Sequence, residues 1–166
     1  MKLINKIYND KKFMSVAEPI LSHKEFVKTK NIVHHGSTRF NHSLRVAYTA
    51  YKISNALGCD TVSTIRAGAL HDFFLVRDDK NLVTSAKMFV NHPTLAKENA
   101  IKYFGINERE QNIIESHMFP TSSVVPKSKE AWIVTFSDKL VALFEGATMA
   151  KSRVALWVLF LVNFIR

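Results

Sequence analysis

Apolar residues recur at helical spacing between residues 41 and 57, and few residues elsewhere in the chain would break a helix. Five apolar residues of this segment lie three or four positions apart and would cover one face of a helix, namely Leu44, Ala47, Ala50, Ile53 and Leu57. The 166 residues include only 5 glycines and 4 prolines, too few for the turns that many short strands would need. We therefore predict an all-α fold, a single-domain helical bundle.

The length and the 47% hydrophobic content suit one domain with a continuous core over residues 1–166. Residues 2–17 suit a surface helix that ends near Pro19, within an N-terminal helical addition at 1–30. The chain closes with VALWVLFLVNFI, about 12 apolar residues where a membrane-spanning helix needs roughly 20. We expect no transmembrane span, and a C-terminal hydrophobic helix at 151–166. That helix would pack into the core or against a second copy in a homo-oligomer; shallow membrane association is the alternative.

Composition also indicates the compartment and the kind of ligand. The single cysteine, Cys59, cannot form an intramolecular disulfide, and the N-terminus lacks the apolar stretch of a secretory signal, so we expect a cytoplasmic protein. The net charge of +9 favours anionic ligands. Because the lysines and arginines are scattered and no nucleic-acid-binding signature accompanies them, we expect a small phosphorylated substrate or nucleotide rather than nucleic acid.

Histidines and aspartates stand at the ends of the predicted helices. His42 lies in the first turn of the helix over 41–57, which Gly58 would end. Asp60 is a candidate N-cap for a helix that ends in the pair His71 and Asp72.

Three further helices each carry one such residue. His92 and Pro93 would open a helix closed by Gly105, after a loop at 77–82 and a short helix to about 90. Asn107 and Glu110 form a capping-box pattern for a helix that ends at His117. After a loop at 118–128, a helix over roughly 129–145 carries Asp138 on an apolar stripe.

Two acids in apolar helices need partners, because burying an unpaired carboxylate costs free energy. Asp72 stands in a segment that reads as a buried helix, and the helical neighbours of Asp138 cannot neutralise it. Binding of cations between these acids and the four histidines would satisfy both. Imidazole and carboxylate ligands suit Mn, Fe, Co, Ni or Zn, and the lack of paired cysteines argues against a structural zinc site.

The order of these residues resembles a known family. The pattern H…HD…D, present as His42, His71 with Asp72, and Asp138, is similar to the HD-domain superfamily of metal-dependent phosphohydrolases. His92 and His117 resemble the additional ligands of the subset that binds two metal ions through six residues. The resemblance covers roughly residues 32–146.

This resemblance implies an enzyme that cleaves a phosphate ester, such as a phosphomonoester or a nucleotide, with a metal-bridging hydroxide. Asp72 would bridge two divalent transition metal ions and orient the hydroxide. By the same resemblance His42, His71 and Asp138 would bind one ion. His92 and His117 would bind the other. Two ions roughly 3.5 to 4 Å apart suit an in-line displacement at phosphorus.

Three further residues are candidates by their place in the sequence. Lys139, beside Asp138, and Arg39, three residues before His42, are predicted to bind the phosphoryl group of the substrate, with an ordinary surface charge as the alternative. His35 precedes the first ligand helix and is predicted to protonate the leaving oxygen as a general acid, with a solvated loop histidine as the alternative.

The ligand set leaves two other functions open. The same six-ligand arrangement resembles HD-type mixed-valent di-iron oxygenases, and a non-catalytic metal- or nucleotide-binding sensor could keep the metals without turnover. Metal identity and oxygen consumption would separate the oxygenase from the hydrolase, and tight binding without turnover would indicate the sensor.

Overall fold

The computed structural model describes residues 2–34, 37–75 and 82–164, and these are almost entirely helical. Its helices are α1 (Lys2–Asn9), α2 (Lys11–Leu21), α3 (Lys24–Val27), α4 (Arg39–Ala56), α5 (Thr61–Leu70), α6 (Leu82–Phe104), α7 (Glu108–Ser116) and α8 (Lys129–Phe164). A 3₁₀ turn at Lys28–Asn31 leads into a two-residue antiparallel pair, β1 (Val33–His34) with β2 (Ser37–Thr38). The predicted all-α fold is confirmed.

The capping residues read from the sequence begin the helices that they were expected to begin. Asp60 accepts a hydrogen bond from the backbone N–H of Ser63 at 3.1 Å and caps α5. Asn107 and Glu110 form the reciprocal capping box of α7. Gly58, with a φ of 64°, follows the end of α4, where the left-handed conformation favours glycine.

The N-terminal region is not one long surface helix. The side chain of Asp10 accepts a hydrogen bond from the Phe13 amide at 3.2 Å, so a new helix begins there and α1 ends at Asn9. Pro19 lies inside α2 rather than beyond the helix end that was predicted near it. His23 in turn caps the short helix α3.

The prediction that His92 and Pro93 open a helix is wrong, because both lie inside the continuous helix α6. Proline in a helix interior removes one backbone hydrogen bond and costs about 3 kcal/mol. Burial offsets this cost. Pro93, Ala96 and Ala100 are three and four residues apart, lie on one face of α6 and are all buried. Most of the loop predicted at 77–82 lies outside the described residues.

The helix that carries Asp138 is also longer than predicted. It does not end near residue 145, and the C-terminal apolar segment continues it as far as Phe164. The single glycine on the way, Gly146, costs a helix only about 1 kcal/mol relative to alanine, and no proline follows it. The expected hydrophobic helix is therefore an extension of α8.

The part of the core that positions the site lies between α4, α5, α7 and α8. α4 packs against α5 and α8, and α7 contacts α5, α6 and α8. Fully buried apolar side chains from each helix meet there: Leu44, Ile65, Leu70, Ile113, Ile114 and Val134. This packing holds the ends of α5 and α7 against α4 and α8, where the histidines and aspartates are placed.

One face of α8 is exposed and apolar. Trp132, Phe136 and Leu143 are 50%, 59% and 70% exposed, and their spacing of four and seven residues places them on one side of the helix. Within the ranges described, none of the helices combines the length and apolar character needed to cross a bilayer. Packing of a second copy through the C-terminal segment stays a prediction.

Candidate metal centre

Histidine and aspartate side chains from α4, the end of α5 and α8 meet on one side of the bundle interior. Nε2 of His42 lies 3.0 Å from Oδ1 of Asp138, and Nε2 of His71 lies 3.5 Å from the same oxygen. Oδ2 of Asp72 is 3.8 Å from Nε2 of His71. We call His42, His71, Asp72 and Asp138 the first cluster.

A second cluster shares Asp72 and takes its histidines from α6 and the end of α7. Oδ1 of Asp72 lies 3.3 Å from Nε2 of His92 and 3.7 Å from Nε2 of His117. The two imidazole Nε2 atoms are themselves 3.1 Å apart. The second cluster therefore consists of Asp72, His92 and His117. Asp72 directs one carboxylate oxygen towards each cluster.

Local structure fixes the rings of two of these histidines. His71 and His117 each follow the last residue of a helix, α5 and α7. Nδ1 of His71 donates to the carbonyl oxygen of Gly68 at 2.8 Å, and Nδ1 of His117 donates to that of Ile114 at 2.7 Å. A carbonyl oxygen can only accept, so Nδ1 carries the proton in both rings and Nε2 is left to face the clusters.

Burial and neighbouring charges separate the pKa values of these groups. Burial lowers the pKa of His42, but hydrogen bonds to Asp138 and Glu145 outweigh it and raise that pKa to about 10. Burial also works against the charged form of Asp138, yet the hydrogen bond from His42 and the charge of the nearby His71 hold its pKa well below the usual range. Carboxylates therefore stabilise positive charge on the neighbouring imidazoles, and such an environment favours a bound cation.

His117 shows the opposite shift. Its burial, reinforced by the nearby His71, lowers its pKa to about 4, so the ring is neutral near pH 7. With Nδ1 protonated, the lone pair of a neutral imidazole is on Nε2, directed at Asp72 and His92. A neutral imidazole is the form that binds metals.

The donor set fits divalent metal ions. Two groups of side chains each offer nitrogen and oxygen atoms within 4.8 Å of one another, His42 with His71 and Asp72, and Asp72 with His92 and His117. In the part of the chain that the structure describes, the buried Nε2 of His71 makes no hydrogen bond, although two carboxylates lie within 4 Å. Buried histidine nitrogens and carboxylate oxygens that converge without sulfur are consistent with a transition-metal site.

Arg39 lies beside the second cluster but inside the protein. Its guanidinium carbon is 3.5 Å from the ring centroid of Phe74, and its Nη1 donates to the Phe74 carbonyl oxygen at 2.6 Å. The ring of His92 also stacks on Phe74, with centroids 5.3 Å apart. Arg39 is buried. Its contacts hold the ring of Phe74, on which His92 stacks. A substrate-binding role for Arg39 stays a prediction.

Lys139 and His35 are the other two candidates. Nζ of Lys139 donates to the carbonyl oxygen of His117 at 3.0 Å, which places this cation at the edge of the second cluster. Partial burial lowers the pKa of Lys139. His35 lies outside the described residues.

Glu145 and Arg45 were missed by sequence reasoning. The Nδ1–H of His42 donates to Oε2 of Glu145 at 2.9 Å, and the Arg45 Nη1 donates to Oε1 at 2.5 Å. The sequence held a signal for both residues. Glu145 stands seven residues after Asp138, two helical turns along the same face, and Arg45 stands three residues after His42.

A helical bundle with buried histidines and aspartates converging in its interior defines a class, the all-α proteins that build a metal site between helices. The model of the HD-domain family matches residues 39–143, well over half of the chain. The chain belongs to the HD-domain family of metal-dependent phosphohydrolases. No curated protein and no solved structure matched the chain significantly.

Proposed function

We propose that this protein is a metal-dependent phosphohydrolase that cleaves a phosphate ester, such as a phosphomonoester or a nucleotide, at a site with two divalent metal ions. The observation that carries the proposal is the position of Asp72, whose two carboxylate oxygens face separate sets of histidines. A carboxylate placed in this way can hold two ions side by side.

The side chains divide into two ligand sets in this proposal. His42, His71 and Asp138 hold one ion, with Asp72 shared. His92 and His117 hold the other. Bound ions of this kind supply Lewis acidity, which lowers the pKa of a water molecule and neutralises charge on phosphoryl oxygens. Fe, Mn, Co, Ni and Zn all accept nitrogen and oxygen ligands of this kind.

The protein's own cations and apolar walls contribute the rest of the chemistry. Lys139, which donates to the His117 carbonyl, would attract the phosphoryl group of a substrate. Phe74 covers one face of His92 and excludes water from that side. The net charge of +9 raises the local concentration of an anionic substrate. From the sequence alone, we also propose that His35 protonates the leaving oxygen.

The test is metal analysis of the purified protein, followed by a hydrolysis screen. Phosphomonoesters, nucleotides and cyclic dinucleotides would each be incubated with the protein and added Mn, Co or Ni. We expect release of phosphate or nucleotide that depends on added metal and is lost on chelation. A chelation-insensitive signal, or none with any substrate in a fully metal-loaded protein, would contradict the proposal.

Two additional measurements separate the alternative functions. Oxygen consumption that requires iron would identify an oxygenase instead of a hydrolase. Tight nucleotide binding without turnover would identify a sensor.

A further inference from the structure

We infer that Glu145 is a positioning residue for His42 and sets the metal affinity of the first cluster; this inference rests on the metal centre of the proposed function. Its carboxylate accepts the Nδ1–H of His42 at 2.9 Å. The proton on Nδ1 leaves Nε2 as the nitrogen that faces Asp138. Glu145 lies beyond the range matched by the family, which ends at residue 143.

The other histidines show what this contact does. His71 and His117 are oriented by backbone carbonyl oxygens three residues earlier in their own segments, Gly68 and Ile114. His42 lies in the first turn of α4 and is oriented by an acid from another helix. A carboxylate is a stronger acceptor than a carbonyl and makes the imidazole a more basic ligand.

Glu145 is itself held in place. The Nη1 of Arg45 donates to its second oxygen at 2.5 Å, and the same nitrogen donates to Oγ of Ser37 at 3.1 Å. Glu145 is only 9% exposed, so its carboxylate keeps both partners in a largely dry environment. A chain of contacts therefore runs from Ser37 on β2 through Arg45 and Glu145 to His42.

The arrangement also makes the two clusters unequal. α8 contributes Asp138 to the first cluster and, two turns further on, Glu145 behind it. Among the described residues, the second cluster takes its carboxylate from Asp72, which it shares with the first. We therefore expect the first cluster to bind metal more tightly, and Glu145 to account for part of the difference.

The test is a calorimetric titration of metal-free protein with Zn²⁺, comparing the wild type with Glu145→Ala and Glu145→Gln. Loss of a carboxylate that supports a metal-binding histidine typically weakens metal affinity about 10- to 100-fold. For Glu145→Ala we expect a loss of Zn²⁺ affinity of about 100-fold. Glutamine keeps an acceptor oxygen without the charge, so we expect a loss of about 10-fold. The second binding step should be unchanged in both variants.

Glu25→Gln is the matched control. Glu25 pairs with Lys28 on the surface at 2.6 Å, and its substitution also removes one carboxylate charge. We expect both Zn²⁺ affinities to stay at wild-type values in this variant.

A second readout reports the contact directly. In Zn²⁺-loaded protein labelled with ¹⁵N-histidine, the Nδ1–H of His42 should give a hydrogen-bonded proton resonance in the wild type. It should shift strongly in Glu145→Gln and broaden or disappear in Glu145→Ala. Circular dichroism would establish that each variant is folded. If Glu145→Ala does not fold, the comparison of Glu145→Gln with the wild type decides the question.

The outcomes separate this inference from the proposed function. A wild type that binds no Zn²⁺ would overturn the metal centre and the inference together. A wild type that binds two ions, with unchanged affinities and an unchanged His42 resonance in the folded Glu145 variants, would overturn the inference alone.

Discussion

Asp72 is the residue on which both clusters depend, since one oxygen lies 3.3 Å from His92 Nε2 and the other 3.8 Å from His71 Nε2. We predict that Asp72→Ala lowers bound metal from two ions to fewer than one per chain. Helical content at low temperature should change little, because Asp72 lies just beyond the end of α5. Elemental analysis and circular dichroism of the purified variant would measure both quantities.

The control for Asp72→Ala is Glu25→Gln, which changes a surface carboxylate outside the clusters. It should keep both ions. A fully metal-loaded Asp72→Ala protein would show that the carboxylate does not bridge.

His117 belongs to the second cluster alone by its contact with Asp72 and His92. We predict that His117→Ala removes one of two metal-binding steps and leaves the other. Titration of metal-free protein with Mn²⁺ would count the steps. His23→Ala is the matched control, since His23 caps α3 and packs against Phe104 away from the clusters.

The His23 variant should retain two steps while losing about 1 kcal/mol of stability with its cap. Two intact steps in His117→Ala would contradict the ligand assignment.

Of the residues around the two clusters, the ligands could be predicted from the sequence and Glu145 was not. The six predicted ligands come together in the two clusters, as expected if neither Asp72 nor Asp138 can be buried without partners. Their binding of metal stays a prediction. Glu145 escaped notice because an acid near the end of a predicted helix is usually exposed, and only the packing of α8 on α4 buries it.

At the scale of the helices, Gly68 controls how closely α5 approaches α4. A Cβ added at Gly68 would lie 3.1 Å from the Cα of Ala47, closer than ordinary van der Waals contact. We predict that Gly68→Ala destabilises the fold by about 1 to 3 kcal/mol, because backbone atoms of a buried helix must shift. Urea unfolding would measure the free energy change.

Gly146→Ala provides the matched comparison. Gly146 also lies inside a helix, but among the described residues a Cβ there would meet no atom within 4 Å apart from its own turn of the helix. The gain in helix propensity should stabilise the fold by about 0.5 to 1 kcal/mol. If Gly68→Ala proved as stable as Gly146→Ala, the close approach of α4 and α5 would be wrong.

Helix starts were predictable where a single side chain sets them, and helix lengths were not. Asp60 and Asn107 cap α5 and α7 through hydrogen bonds to residues three positions on, a local pattern that can be read without the fold. The continuation of α6 through Pro93 depends on burial against the bundle, which a local pattern does not contain. The length of α8 also exceeded the prediction, because Gly146 alone does not end the helix.

At the scale of the whole molecule, the clusters join five segments that are far apart in sequence. The side chains come from α4, the ends of α5 and α7, α6 and α8. An unfolded chain cannot bring these groups together, so metal would bind almost only to the folded state. Metal binding should therefore stabilise the entire fold, not only the side chains around it.

This coupling gives a prediction for thermal unfolding. A ligand that binds only the folded state at 100 times its Kd adds about 2.7 kcal/mol of stability for one site. For a domain of this size, 1 kcal/mol corresponds to roughly 2 to 4 °C in Tm. Saturating Mn²⁺ should thus raise the Tm of metal-free protein by about 5 to 10 °C for each site, measured by differential scanning fluorimetry.

In variants at the two clusters, the Mn²⁺-dependent increase in Tm should depend on how many ions the variant still binds. Gly146→Ala, outside the clusters, should show the full increase, and Asp72→Ala almost none, since its carboxylate contacts both sets of histidines. His117→Ala should show more than half of the increase, because it keeps the first cluster, which we expect to bind metal more tightly. An equal increase in all three proteins would mean that Mn²⁺ stabilises the fold from some other place. No increase in the wild type would mean that these segments are held together by packing alone, because a cation bound between them must add to the free energy of unfolding.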